Sequence, residues 1–111
     1  MKILITICAR GGSKGIIGKN TKIIREKHLI GYTIEAAKKF QDKYKAKISI
    51  STDSQIIIDI AKLYGVSTDY LRPSHLATDI AGKIDTIRDL ILYEEKLINS
   101  KYDFILDLDV T

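Results

Sequence analysis

Short β-branched apolar runs alternate with amphipathic segments along this chain, and that alternation restricts its fold more than any other feature. Lys2 to Ala9 is nearly free of charge, the pattern of a strand buried on both faces. Leu29 to Gln41 places Ile30, Ile34, Ala37 and Phe40 along one helical stripe. Lys47 to Ser51 reads as a second short strand. Asp53 or Ser54 can cap the next helix, whose apolar face is Ile57, Ile60, Ala61 and Tyr64. Gly65 follows as a stop of the kind glycine supplies after a helix. Ser67 to Leu71 is a third strand candidate, closed by Arg72-Pro73. Thr78 or Asp79 then starts a longer helix carried by Ile84, Ile87, Ile91 and Leu97 or Ile98. Phe104 to Val110 is again a buried-strand run, now with Asp107 and Asp109 near its carboxyl end.

Strands alternating with helices imply an α/β domain with a mostly parallel sheet covered on both faces. Ligands of such sheets bind beyond the carboxyl ends of the strands. That rule gathers Arg10 to Asn20, Ser51 to Asp53, Arg72 and Asp107 to Asp109 on one rim. Asp107 and Asp109 lie two apart on a strand and therefore share a face. The chemistry of the chain is concentrated there.

Composition excludes several classes. At 111 residues, 45% hydrophobic and 29% charged, the chain suits one packed domain and not disorder. No apolar run approaches the roughly 20 residues of a membrane-spanning helix. The Ile3 to Ile7 run is too short for a signal sequence and lacks a small-residue cleavage site, so it reads as the first strand of a cytoplasmic protein. Cys8 is the single cysteine, which rules out an internal disulfide and a cysteine-based zinc site. The net charge of +4 is modest and the aromatics are scattered, so nucleic acid is not an expected partner. His28 and His75 read as surface or turn residues without a catalytic role.

The strongest local signal is Ala9-Arg10-Gly11-Gly12-Ser13-Lys14-Gly15-Ile16-Ile17-Gly18-Lys19-Asn20. Glycines let backbone N–H groups approach an anion, and Arg10, Lys14 and Lys19 can neutralise a polyphosphate. A P-loop would need glycine where Ser13 stands and Ser or Thr where Asn20 stands. The dinucleotide-binding pattern ending at Gly18 also needs glycine at Ser13. Neither motif is present.

The same run resembles the signature loop of the acylneuraminate cytidylyltransferases, Ala-Arg-Gly-Gly-Ser-Lys-Gly-Ile-Pro-Gly-Lys-Asn, departing from it only at Ile17. Further landmarks follow in order: Leu29 to Ala37, Ser51-Thr52-Asp53, Leu71-Arg72-Pro73 and Leu76-Ala77-Thr78-Asp79. The resemblance implies a Rossmann-like nucleotide-diphospho-sugar transferase fold, of which residues 1–111 would be the N-terminal, nucleotide-binding part, truncated on its C-terminal side. It implies transfer of CMP from CTP to the anomeric hydroxyl of a nine-carbon keto sugar acid, with Mg²⁺ as cofactor and a homodimer for the full-length enzyme. Arg10 and Lys14 would be catalytic, holding the triphosphate as charge develops. Ala9, Gly11, Gly12, Ser13, Lys19, Asn20 and Arg72 would complete the nucleotide site. A chain ending at Thr111 would be expected to turn over no substrate alone and to be poorly stable.

Departures fall in the second half. Lys83 stands where a serine is common, and Leu108-Asp109-Val110-Thr111 replaces Leu-Gln-Pro-Thr. Both look more like relatives that activate bacterial sialic-acid-like sugars such as legionaminic acid. Lys83 either meets a sugar carboxylate or is a solvated helix lysine. Asp109 falls at the family's substrate-side glutamine. Asp107 and Asp109 are also candidates to hold Mg²⁺, although the family's metal acids lie further along the chain. A non-catalytic nucleotide-binding module and a nucleotidyltransferase acting on a sugar phosphate are the competing readings.

Overall fold

The computed structural model describes residues 1–10, 23–77 and 82–110. Three parallel strands form its centre: β1 (Ile3–Cys8), β4 (Lys47–Ser51) and β5 (Phe104–Leu108), in the order β4-β1-β5. Two short strands, β2 (Ile23–Ile24) and β3 (Lys27–His28), pair antiparallel across Arg25 and Glu26, both at positive φ, as a tight two-residue hairpin turn requires. The helices are α1 (Leu29–Tyr44), α2 (Gln55–Leu63) and α3 (Lys83–Ile98), with a 3₁₀ turn at Ser74–Leu76.

Register divides the sheet into two unlike faces. Ile5 lies opposite Ile48 and Leu106, and Ile7 opposite Ile50 and Leu108. Because side chains alternate, Thr6 and Cys8 share the other face with Ser49, Ser51 and Asp107. The first face is apolar and takes α1 and α2, through Ile30, Ile34 and Ala37 and through Ile57, Ile60 and Ala61. The second face, polar apart from Leu4 and Ile105, takes α3, whose buried residues are Thr86, Leu90 and Glu94. The Glu94 carboxyl accepts from Ser49 Oγ at 2.6 Å, with both residues buried.

The local signals explain the helix ends. Ser54, not Asp53, caps α2 by accepting from Ile57 N, and Gly65 follows at φ +88°. α1 runs past Gln41 to Tyr44 and ends at Lys45, whose left-handed conformation lets its N–H reach the Gln41 carbonyl. Gly31 has a packing reason: a Cβ there would sit 2.5 Å from the Tyr64 ring. The Tyr64 hydroxyl, held in that seat, lies 2.9 Å from His28 N and 3.0 Å from His28 Nδ1.

Three expectations are corrected. Ser67 to Leu71 joins no ladder among the described residues, although Val66, Tyr70 and Arg72 alternate inward with exposed neighbours. Tyr70 N bonds Thr68 Oγ1 instead, and Arg72 N reaches the Thr52 carbonyl, so local bonds replace strand pairing. The inward face of α3 is not the isoleucine stripe: Ile84, Leu97 and Ile98 are exposed. The sheet face below it is polar, and Glu94 fits Ser49 better than an isoleucine would. β5 is less buried than an apolar run suggests, since it lies at the edge of the three-stranded sheet and leaves Phe104 and Ile105 exposed. The expected helix start at Thr78 or Asp79 lies outside the described residues; the described helix begins after Gly82.

Candidate functional site

All three parallel strands end at one edge, where β1 passes into Ala9 and Arg10, β4 into Thr52 and Asp53, and β5 into Asp109. The chain leaves β1 toward β4 on one side and reaches β5 on the other, so the β1–β5 crevice is a topological switch point, where doubly wound sheets place ligands. Two side-chain clusters occupy this edge on the polar face.

The first cluster centres on Arg72. It is buried, although it stands directly before Pro73. Its guanidinium donates from Nε to Ser51 Oγ at 2.9 Å and from Nη2 to the Ser51 carbonyl at 2.7 Å. Burial pulls its pKa down, while Cys8, Asp53 and Tyr70 act in the opposite direction and Arg10 adds to the depression. Arg10 therefore lies within electrostatic reach, and its Nη1 donates to the Ala77 carbonyl at 3.4 Å. Cys8 is pushed up to about 11, by burial first and by the Asp107 charge second. A neutral thiol at physiological pH is the result.

The second cluster joins Lys83, Asp107 and Asp109. Lys83 Nζ lies 3.0 Å from Asp107 Oδ2 and also pairs with Asp109 Oδ1. The other Asp107 oxygen accepts from Thr6 Oγ1 at 2.7 Å. Hydrogen bonds to Asp109, and then to Asp107, raise the Lys83 pKa. Lys83 is the first residue of α3, where a cation opposes the helix dipole. Local preference is thus overridden at this position, a common mark of a functional cluster. The two carboxylates do share a face, and the ammonium lies between them. Among the described residues no group of three or more His, Cys, Asp or Glu is arranged to hold a metal ion.

Of the residues expected from sequence, Ala9, Arg10, Arg72, Lys83, Asp107 and Asp109 are brought to this edge. The Ala9 side chain packs into the apolar core and its N–H donates to the Ser51 carbonyl at 2.9 Å. Gly11, Gly12, Ser13, Lys14, Lys19 and Asn20 lie outside the described residues. His75 is exposed, and His28 is half-buried against the Tyr64 hydroxyl. Sequence reasoning missed Thr6, which donates to Asp107, and Tyr70, whose hydroxyl donates to Asp89 on α3. Tyr70 was the detectable one, since two residues before Arg72 in an extended segment it points the same way.

An α/β sheet with basic groups and paired carboxylates at its switch point belongs to the doubly wound class that binds ligands at that edge. The sequence profile of the cytidylyltransferase family matches residues 4–103, and the chain belongs to that family. It is 44% identical over 110 residues to the post-translational flagellin modification protein B of Campylobacter coli, covering 99% of this chain and 46% of that protein. It is 42% identical over 111 residues to the CMP-N,N′-diacetyllegionaminic acid synthase of Legionella pneumophila, covering all of this chain and 47% of the relative. An N-acylneuraminate cytidylyltransferase of Escherichia coli is 42% identical over 87 residues, 78% of this chain and 20% of that protein. The chain thus spans about half the length, or less, of these relatives. Among the described residues no helix is long and apolar enough to cross a membrane.

Proposed function

We propose that this chain supplies the CTP-binding side of a cytoplasmic enzyme that transfers CMP from CTP to a nine-carbon, sialic-type keto sugar acid. The observation that carries the proposal is the meeting of Arg10, Arg72 and the Lys83–Asp107–Asp109 cluster at one sheet edge of a cytidylyltransferase-family chain. In the reaction the anomeric hydroxyl oxygen of the sugar bonds to the α-phosphorus of CTP. The bond from that phosphorus to the bridging oxygen breaks, pyrophosphate leaves, and the hydroxyl proton is released. Such transfers depend on positioning and charge neutralisation more than on covalent chemistry. Arg10, Lys14 and Lys19 supply positive charge to the triphosphate, the glycines of the loop supply N–H donors, and Arg72 faces the nucleotide.

Lys83 and Asp109 take the sugar side. Names of the relatives that mention legionaminic acid favour a bacterial sialic-type sugar over a sugar phosphate. Mg²⁺ is commonly held by one or two carboxylates together with substrate phosphates, and Asp107 and Asp109, here paired with the Lys83 ammonium, are the carboxylates that would hold it. Bound there, the ion would neutralise phosphate charge.

The test is pyrophosphate release by the full-length protein with CTP and a panel of sialic-type acids. Lys14→Ala is expected to cut kcat by about 100-fold or more, the scale of losing one preorganised transition-state contact, while leaving the KM for the sugar nearly unchanged. An unchanged rate removes Lys14 from the machinery. CTP binding without turnover on any sugar acid would favour a non-catalytic module, and turnover with a sugar phosphate would move the enzyme to another class.

A further inference from the structure

Asp107 is held from the central strand as well as from α3. Thr6 lies directly opposite it in the β1–β5 register, is fully buried, and donates from Oγ1 to Asp107 Oδ1 at 2.7 Å. The other oxygen, Oδ2, meets Lys83 Nζ at 3.0 Å where α3 begins. Asp109 stands differently. It lies past the end of β5, and its side chain is 69% exposed against 21% for Asp107.

The Thr6 bond has one sense. An ionised carboxylate only accepts, so the Thr6 hydroxyl is the donor. Ser49, the neighbour of Thr6 on the other side, gives its own proton to Glu94, so the two hydroxyls serve separate acceptors. Thr6 is β-branched and sits in a strand paired on both sides, which leaves its χ1 little freedom. The carboxylate torsion of an aspartate, by contrast, is broad and sets no direction by itself. Thr6 supplies that direction: with Oδ1 tied to the sheet, Oδ2 is turned to the Lys83 ammonium.

We infer that Thr6 is a positioning residue for the Lys83–Asp107 pair, fixing the plane of the Asp107 carboxylate and through it the place of the Lys83 ammonium at the sheet edge. Thr6 itself, buried in the central strand, need not touch the substrate. Asp107 is then the acid that holds the ammonium in place, and the exposed Asp109 is the partner that Lys83 can exchange. If the bond did no more than satisfy a buried hydroxyl, valine, of the same shape and without that hydroxyl, would serve as well. The functional part of the inference rests on the sugar-side role proposed for Lys83; the positioning part rests on bond geometry alone.

Thr6→Val in the full-length protein keeps the shape and removes the hydroxyl, and Thr6→Ser keeps the hydroxyl. With aspartate carboxyl carbons labelled, the Asp107 resonance, assigned by its loss in Asp107→Asn, is expected to shift in Thr6→Val and to return toward its original position in Thr6→Ser. Steady-state kinetics with CTP and the panel of sialic-type acids are expected to show the sugar KM raised roughly five-fold in Thr6→Val, the scale of losing one hydrogen bond, and restored in Thr6→Ser. The KM for CTP and the kcat at saturating substrates should change little. An Asp107 resonance unmoved in Thr6→Val overturns the positioning claim. A moved resonance with an unchanged sugar KM overturns the functional part, provided that Lys83→Met does raise that KM. If Lys83→Met leaves it unchanged, or no sialic-type acid is turned over, the proposed sugar-side reading is what falls, and the resonance then decides the positioning claim by itself. Thermal melts separate these outcomes from general destabilisation, and Thr6→Ala decides if Thr6→Val melts early.

Discussion

Removing the Ser49 hydroxyl and the Glu94 carboxyl together should cost this protein less than the sum of the two single changes. Ser49 and Glu94 are 1% and 4% exposed, and their 2.6 Å bond joins the polar face of the sheet to α3. A hydrogen bond to a carboxylate contributes about 1.5–3 kcal/mol, and removing the donor leaves the buried acceptor to bear its desolvation cost. Ser49→Ala should therefore destabilise by about 2 kcal/mol, a fall of about 1 M in the urea midpoint at a slope near 2 kcal/mol/M. Glu94→Leu strands the serine hydroxyl in turn and should cost about 1 kcal/mol. With both changed, no polar group is left unpaired, and the double variant should lose less than the sum by about 1–2 kcal/mol. Urea unfolding of the four proteins measures the cycle. Additive costs, or a Ser49→Ala cost under about 0.5 kcal/mol, would refute the claim that this bond fastens α3 to the sheet.

Other consequences are as specific. Gly31→Ala should destabilise by about 1–3 kcal/mol despite alanine's better helix propensity, because its Cβ would drive the Tyr64 ring from its seat against α1; thermal unfolding reads this directly. The Cys8 pKa of about 11 lies above its unfolded value of 9.0, so the thiol's contribution to stability is whole below pH 9 and is lost as pH rises toward 11. Thiol labelling at pH 8 should accordingly be slow in the folded protein and fast in urea; equal rates would mean an exposed thiol. Lys83→Met should weaken sugar-acid affinity while leaving CTP affinity nearly unchanged, as separate titrations would show.

Much of the fold was legible because its apolar half follows simple periods. The stripe Ile30, Ile34, Ala37 and the face Ile57, Ile60, Ala61 do cover a sheet face built from Ile5, Ile7, Ile48 and Ile50. The other half was hidden because polar residues do the packing. Hydrophobic periodicity selected Ile84, Ile87 and Ile91 on α3, whereas the sheet below presents Thr6, Ser49 and Asp107 and takes Thr86, Leu90 and Glu94. At the candidate site, residue types and strand ends pointed to Arg10, Arg72 and Asp107 to Asp109. They did not show that Lys83 pairs with both carboxylates, or that the Tyr70 hydroxyl donates to Asp89 on α3. Such partners depend on register and helix rotation, which one sequence read by period does not fix.

The central claim is that this sheet edge selects cytidine triphosphate. Calorimetry of the full-length protein with CTP, UTP and ATP in Mg²⁺, repeated with Arg72→Ala, tests it most directly. The account predicts that CTP binds at least about ten-fold more tightly than the others, a difference of about 1.4 kcal/mol, and that Arg72→Ala narrows that gap. Equal affinity for all three nucleotides, unchanged by Arg72→Ala, would contradict it and leave only a general phosphate site.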